Sequence, residues 1–177
     1  MKKTLIVALS ALTLTSMAHA GSLETSIGSE YLGLDFNHQV SPNISVTADL
    51  LHNFDHDDTM ASVGMGYTMP LGAASVTVGG RANWLALDGH SDEMTVSVGG
   101  DLQIPLGESL ALYGNAYWGP LATGKVDSSF DGRVGVNWRI NKAVALDAGY
   151  RYSTVEFDNG HQHDLADGAY AGVRVMF

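Results

Sequence analysis

The chain closes on Tyr170-Ala171-Gly172-Val173-Arg174-Val175-Met176-Phe177. Ala171, Val173, Val175 and Phe177 fall on one face of this run, and Tyr170, Gly172 and Arg174 on the other. Alternation with period two is the mark of a strand. An alternating last strand that stops on an aromatic residue suits the closing strand of an outer-membrane barrel, whose outer face meets lipid. The opposite end agrees with it. Met1-Lys2-Lys3 supplies a positive n-region, Leu5 to Leu14 an apolar core, and Ala18-His19-Ala20 the small residues of a cleavage site. The reading is a secretory signal peptide over residues 1–20, too short for a membrane-spanning helix, followed by one barrel domain over 21–177.

Composition narrows the class further. There is no Cys, so neither a disulfide nor a lipid-anchored cysteine enters the account. Loss of Lys2 and Lys3 takes nine basic residues to seven against nineteen acids, a mature net charge of -12. Such a surface repels phosphate, so nucleic acid is not an expected partner. It suits cations or basic partners, although acidity also serves solubility alone.

Nine segments alternate after Gly28, from Leu32–Phe36 to Ala169–Phe177, and no helical period competes with them. Short turns are expected at 41–43, 70–72, 105–108 and 141–142. Longer polar loops are expected at 53–59, 88–93, 119–128 and 158–167. Short turns on one side and longer loops on the other describe a small antiparallel transmembrane β-barrel of eight to ten strands, turns in the periplasm and loops outside. A soluble sandwich alternates as well. Here, however, the polar face is rich in Gly and in charges of both signs: Arg81, Asp101, Asp131, Arg133, Asp147, Arg151 and Arg174. Small residues and pairable charges suit a narrow lumen. Trp84, Trp118, Trp138 and Phe177 fall near strand ends on the apolar face, where interfacial aromatic girdles belong.

An even strand number is needed to bring both ends to one side, and nine segments do not satisfy it. Either Ser22 to Ile27 adds a strand, or the N-terminal segment threads the lumen, or one segment is not a strand.

The chain resembles the YfaZ family of outer-membrane proteins. The resemblance rests on Gly64-Met65-Gly66-Tyr67 before Pro70-Leu71-Gly72, Val78-Gly79-Gly80, Val98-Gly99-Gly100 and Leu112-Tyr113-Gly114. It continues through Gly135-Val136-Asn137-Trp138, Gly149-Tyr150-Arg151-Tyr152 and Asp167-Gly168-Ala169-Tyr170-Ala171-Gly172-Val173. It implies a barrel fold and an outer-membrane location. Porin-like behaviour is suggested for the family, and no substrate comes with it.

The functional expectation is an integral outer-membrane barrel, a narrow porin-like channel for small solutes. The alternative is a non-conducting structural or surface-interaction barrel whose acidic, His-bearing loops bind cations or a partner. His52, His56, His161 and His163, with His90 between them, are loose candidates for metal ligands, since imidazoles on neighbouring loops can converge. No cofactor and no catalytic residue is expected. Ser153 is the serine nearest the His-bearing fourth loop, and its parity points it into the lumen, away from acyl chains. Expected partners are outer-membrane lipid, lipopolysaccharide and the barrel-assembly machinery, the last through Val173, Val175 and Phe177. Nothing in the sequence sets an oligomeric state.

Overall fold

The computed structural model describes residues 21–88 and 91–177. The signal-peptide assignment to residues 1–20, and His90, lie outside the described residues. Ten strands follow one another: β1 (Gly21–Gly28), β2 (Tyr31–Ser41), β3 (Ile44–Asn53), β4 (Asp58–Leu71) and β5 (Ala74–Ala86), then β6 (Glu93–Pro105), β7 (Leu110–Ala122), β8 (Val126–Arg139), β9 (Val144–Phe157) and β10 (Gln162–Met176). Each pairs antiparallel with its sequence neighbours, and β1 pairs with β10 to close the barrel.

The open count is settled by β1. Leu23 and Ile27 face outward with Thr25 between them, a weak apolar pattern for a short strand. What makes it a strand is pairing on both edges, Leu23 opposite Val175 on one side and Phe36 on the other. The chain also joins its own ends across the seam. Gly21 N donates to Phe177 O at 2.8 Å, and Phe177 N donates to Gly21 O at 3.0 Å. Closure leaves no open edge, which a strand structure within lipid requires.

The four short turns and both ends of the described chain lie at one end, termed the turn end. The other end carries the hairpins between β1 and β2, β3 and β4, β5 and β6, β7 and β8, and β9 and β10. Of the long loops expected there, 119–128 and 158–167 are largely strand, whereas 53–59 and 88–93 meet the strands only at their edges. Only 54–57, 87–92, 123–125 and 158–161 separate the strands that were expected to be joined by them. Outward residues such as Glu156, Gln162 and Asp164 are polar there, Leu121 being an exposed exception, so the apolar alternation that marks a strand within lipid fades while the backbone pairing continues. Strands of 13 to 15 residues from β5 to β10 exceed the roughly 9–11 that cross a bilayer.

A narrow barrel needs room for inward aromatic rings, and glycine provides it. Tyr113, Gly135, Gly149 and Tyr170 are register partners in succession across β7, β8, β9 and β10. The two tyrosine hydroxyls meet over the glycines in a hydrogen bond. A Cβ on Gly135 would lie 2.7 Å from Ala148 O and 2.8 Å from the Tyr113 hydroxyl. One on Gly149 would collide with Val134 O. Any larger side chain there displaces the wall or the ring above it.

Candidate functional site in the barrel lumen

All seven charges assigned to the lumen from sequence are drawn into one ionic layer inside the barrel. Arg151 Nε donates to Asp131 Oδ1 at 2.9 Å. Arg81 lies 3.6 Å from both Asp49 and Asp131, and 3.8 Å from Asp101. Its guanidinium stacks 3.6 Å from the centroid of Tyr117, whose hydroxyl donates to Asp101 at 2.6 Å. Arg133 grips Asp35 through both Nη atoms, at 2.7 and 3.0 Å, and stands 3.8 Å from Glu24. Arg174 donates to Glu24 at 2.6 Å and to Asp147 at 3.2 Å, and Asn137 completes the Asp147 carboxylate at 3.0 Å.

Three members of this layer were missed from sequence: Glu24, Asp35 and Asp49. Asp35 and Asp49 carry the same inward parity as the seven, so extending the alternation count to β2 and β3 finds them. Glu24 lies on the strand whose existence the sequence left open. Arg133 on β8 meets Asp35 on β2 across the lumen, a partnership that neither strand announces. Two-pronged guanidinium–carboxylate contact fixes both groups in orientation as well as charge.

Between this layer and the turn end lies an open vestibule of about 630 Å³. Asn37, Thr47, Gln103, Asn115 and Asn137 line it, with Lys142 and Phe177 near the rim. Toward the hairpin end the lumen is instead filled. Tyr31, Leu51, Met60, Leu85, Leu87, Val126, Val155, Phe157 and Leu165 form a packed apolar cluster with Ala166 and Tyr170. Leu85 and Val155 are 0% exposed. Apart from Tyr170, already placed on the inner face of the last strand, sequence reasoning stopped each segment before reaching these side chains.

Polar contacts cap this plug and tie β10 to the far wall. Asn53 Nδ2 donates to Leu165 O at 3.1 Å, linking β3 to β10. Asp58, 1% exposed, accepts from His163 Nε2 at 2.5 Å and from the Asp88 backbone N–H at 2.8 Å. One carboxylate thus joins three hairpins. The His56 ring packs edge-on against His163, centroids 5.2 Å apart. His52 instead bonds Thr59 Oγ1 at 3.0 Å, and the backbone of His161 donates to Asn159 Oδ1. The structure therefore brings His56 and His163 together, without His52 or His161. Among the described residues, no three His, Cys, Asp or Glu side chains are grouped to hold a metal.

Ser153 lies inside the wall, 1% exposed, and its hydroxyl has no hydrogen-bond partner among the described residues. The outer wall is apolar, with Val63, Val78, Val98, Leu112 and Val134 exposed. Trp84 and Trp118 stand exposed toward the hairpin end, and Trp138 and Phe177 toward the turn end. Val173 and Val175 are exposed on the closing strand.

The family model described as YfaZ precursor matches residues 1–177. The outer membrane protein YfaZ of Escherichia coli (strain K12) is 32% identical over 183 residues, covering 100% of each chain. Among solved structures, an outer membrane channel from Pseudomonas putida F1 is 12% identical, with a TM-score of 0.47 over 92% of this chain and 96% of its own. The outer membrane channel DcaP of Acinetobacter baumannii is 12% identical, with a TM-score of 0.43 over 87% of this chain and 53% of its own. Likenesses this distant carry no argument about activity.

Proposed function

This chain belongs to the YfaZ family and is an outer-membrane β-barrel, and from that premise we propose that it rests as a non-conducting barrel, open to the periplasm and closed toward the cell exterior. The turn end then faces the periplasm, as in barrels of this class. The observation that carries the reading is the apolar plug, a packed cluster in the extracellular half of the lumen in which Leu85 and Val155 are fully buried. An ion crossing it would shed its water against hydrocarbon side chains, and hydrophobic constrictions close pores in that way.

Planar-bilayer recording of the refolded mature chain tests this. The expected trace is silent, and steady single-channel steps from the wild type would sink the proposal. The second reading is the narrow porin-like channel for small solutes. It is favoured by the vestibule, which already hollows the periplasmic half, and it requires the plug to withdraw.

The same reading assigns the remaining surfaces. Trp84, Trp118, Trp138 and Phe177 serve as the two interfacial girdles, and the outer wall meets lipid and lipopolysaccharide. Val173, Val175 and Phe177 present the closing strand to the barrel-assembly machinery. The exposed hairpin tips, bearing Asp55, Asp57, Asp158 and His161, meet cations or a partner. Catalysis is not part of the proposal: Ser153 lies inside the wall, away from lipid. Lipid A incubated with the solubilised protein is expected to keep all of its acyl chains.

A further inference from the structure

We infer that the periplasm-facing vestibule is a binding site for a small uncharged polyhydroxylated molecule, of mono- or disaccharide size. This deepens the preceding reading and rests on its placement of the vestibule toward the periplasm. Its volume, about 630 Å³, falls within the range of small-molecule sites.

The charge of the wall argues against an ion. Glu24, Asp35, Asp49 and Asp101 line the vestibule, and so do Arg81, Arg133, Arg174 and Lys142. The two sets cancel in formal charge, and the ion pairs and hydrogen bonds already described engage every member except Lys142 at the rim. A free anion or cation finds its counter-charges on this wall already engaged, Lys142 apart.

Between these engaged charges the vestibule wall carries neutral hydrogen-bonding side chains, among them Ser45, Ser75 and Asn115. Asn37, Thr47 and Gln103, also on the wall, add groups that both give and take hydrogen bonds. A hydroxyl does both at one atom. A ligand studded with hydroxyls therefore matches a wall of interspersed donors and acceptors, whereas an apolar ligand strands them. The ring of Tyr113, half-buried on the cavity wall, offers surface for the C–H face of a sugar ring.

Isothermal titration of the refolded mature chain in detergent tests the site with sucrose, maltose and trehalose. Sodium gluconate and spermidine serve as charged comparators. Binding of at least one neutral disaccharide is expected, weakened about tenfold or more in Gln103→Leu and Asn115→Leu, which each remove one hydrogen-bonding site. Asp158→Asn, on an exposed hairpin tip, is expected to bind as the wild type does. Heat-modifiable gel mobility checks that each variant has formed its barrel. Failure of all three sugars to bind, binding of the charged comparators alone, or affinity unchanged in both vestibule variants would overturn the inference. A barrel that conducts yet binds sugar contradicts only the closed-end reading, and a silent barrel that binds none contradicts only this one.

Discussion

The two halves of this lumen are built from the same strands and by opposite rules. Toward the periplasm the wall is polar inside and apolar outside. Asn37, Thr47, Gln103 and Asn115 look inward, while Val78, Val98 and Leu112 look out. Toward the exterior the order inverts: Leu51, Leu85, Val155 and Phe157 turn in, while Thr59, Glu156, Gln162 and Asp164 turn out. The first arrangement suits lipid as the surrounding solvent, and the second suits water. The strands therefore run on past the membrane and end as a small water-facing barrel with its own hydrophobic core. The ionic layer of Arg81, Asp131, Arg133 and Arg151 marks the boundary between the two regimes.

Substitutions at that boundary are the most forceful way to break the contrast. Arg133→Met strands the carboxylate of Asp35 inside the wall and leaves Glu24 with Arg174 alone. Breaking a buried pair by removing one partner costs about 3–5 kcal/mol. Urea unfolding from lipid vesicles is expected to show a loss of that size, while Lys142→Met at the rim stays within about 0.5 kcal/mol of the wild type. Equal effects would mean that the layer is solvated and marks no boundary.

Hollowing the plug comes next. Leu85→Ala should cost about 2–5 kcal/mol, as buried Leu truncations do. It should also bring intermittent conductance to a barrel that is otherwise silent. Stability loss without any current would show that the plug supports the fold but is not what closes the lumen. The glycine seam is a smaller test. Gly149→Ala drives a Cβ into Val134 O, and overpacking of this kind costs about 1–3 kcal/mol. A neutral result would show that Tyr170 and the wall yield more easily than their contacts suggest. Asn53→Ala removes the cross-lumen bond to Leu165 O and the two bonds that Asn53 Oδ1 accepts from the Asp55 and His56 N–H groups, a loss of about 1–3 kcal/mol. Its sharper readout is amide exchange: protection should fall near Leu165 on β10 and stay unchanged at the β1–β10 seam.

Much of this was legible in the chain. The alternation in nine segments marked β2 to β10, and it set the parity of every arginine in the ionic layer. It also marked the outward valines and tryptophans. What escaped it did so for identifiable reasons. β1 has two outward apolar residues around Thr25, too faint a pattern without its partners. Leu51 follows Asp49 on the same face, as Leu85 follows Asn83, so parity alone placed both inside. The change from polar to apolar at those positions went unread because the segments were ended where the outward face ceased to be greasy. Among the histidines, clustering in sequence suggested convergence, yet only His56 and His163 meet, because His52 stands on the outer side of β3.

The sequence by itself determined that the chain is built of strands, which side chains point inward, and that the outward face suits lipid. Those properties follow from the period of a single strand, and each is local. Tertiary structure alone decided that ten strands close, that Arg133 finds Asp35 98 residues away, and that apolar side chains from seven strands fill one half of the lumen while the other stays hollow. Which inward side chains face one another is set by register and by the curvature of the closed wall, and neither is written in any one strand.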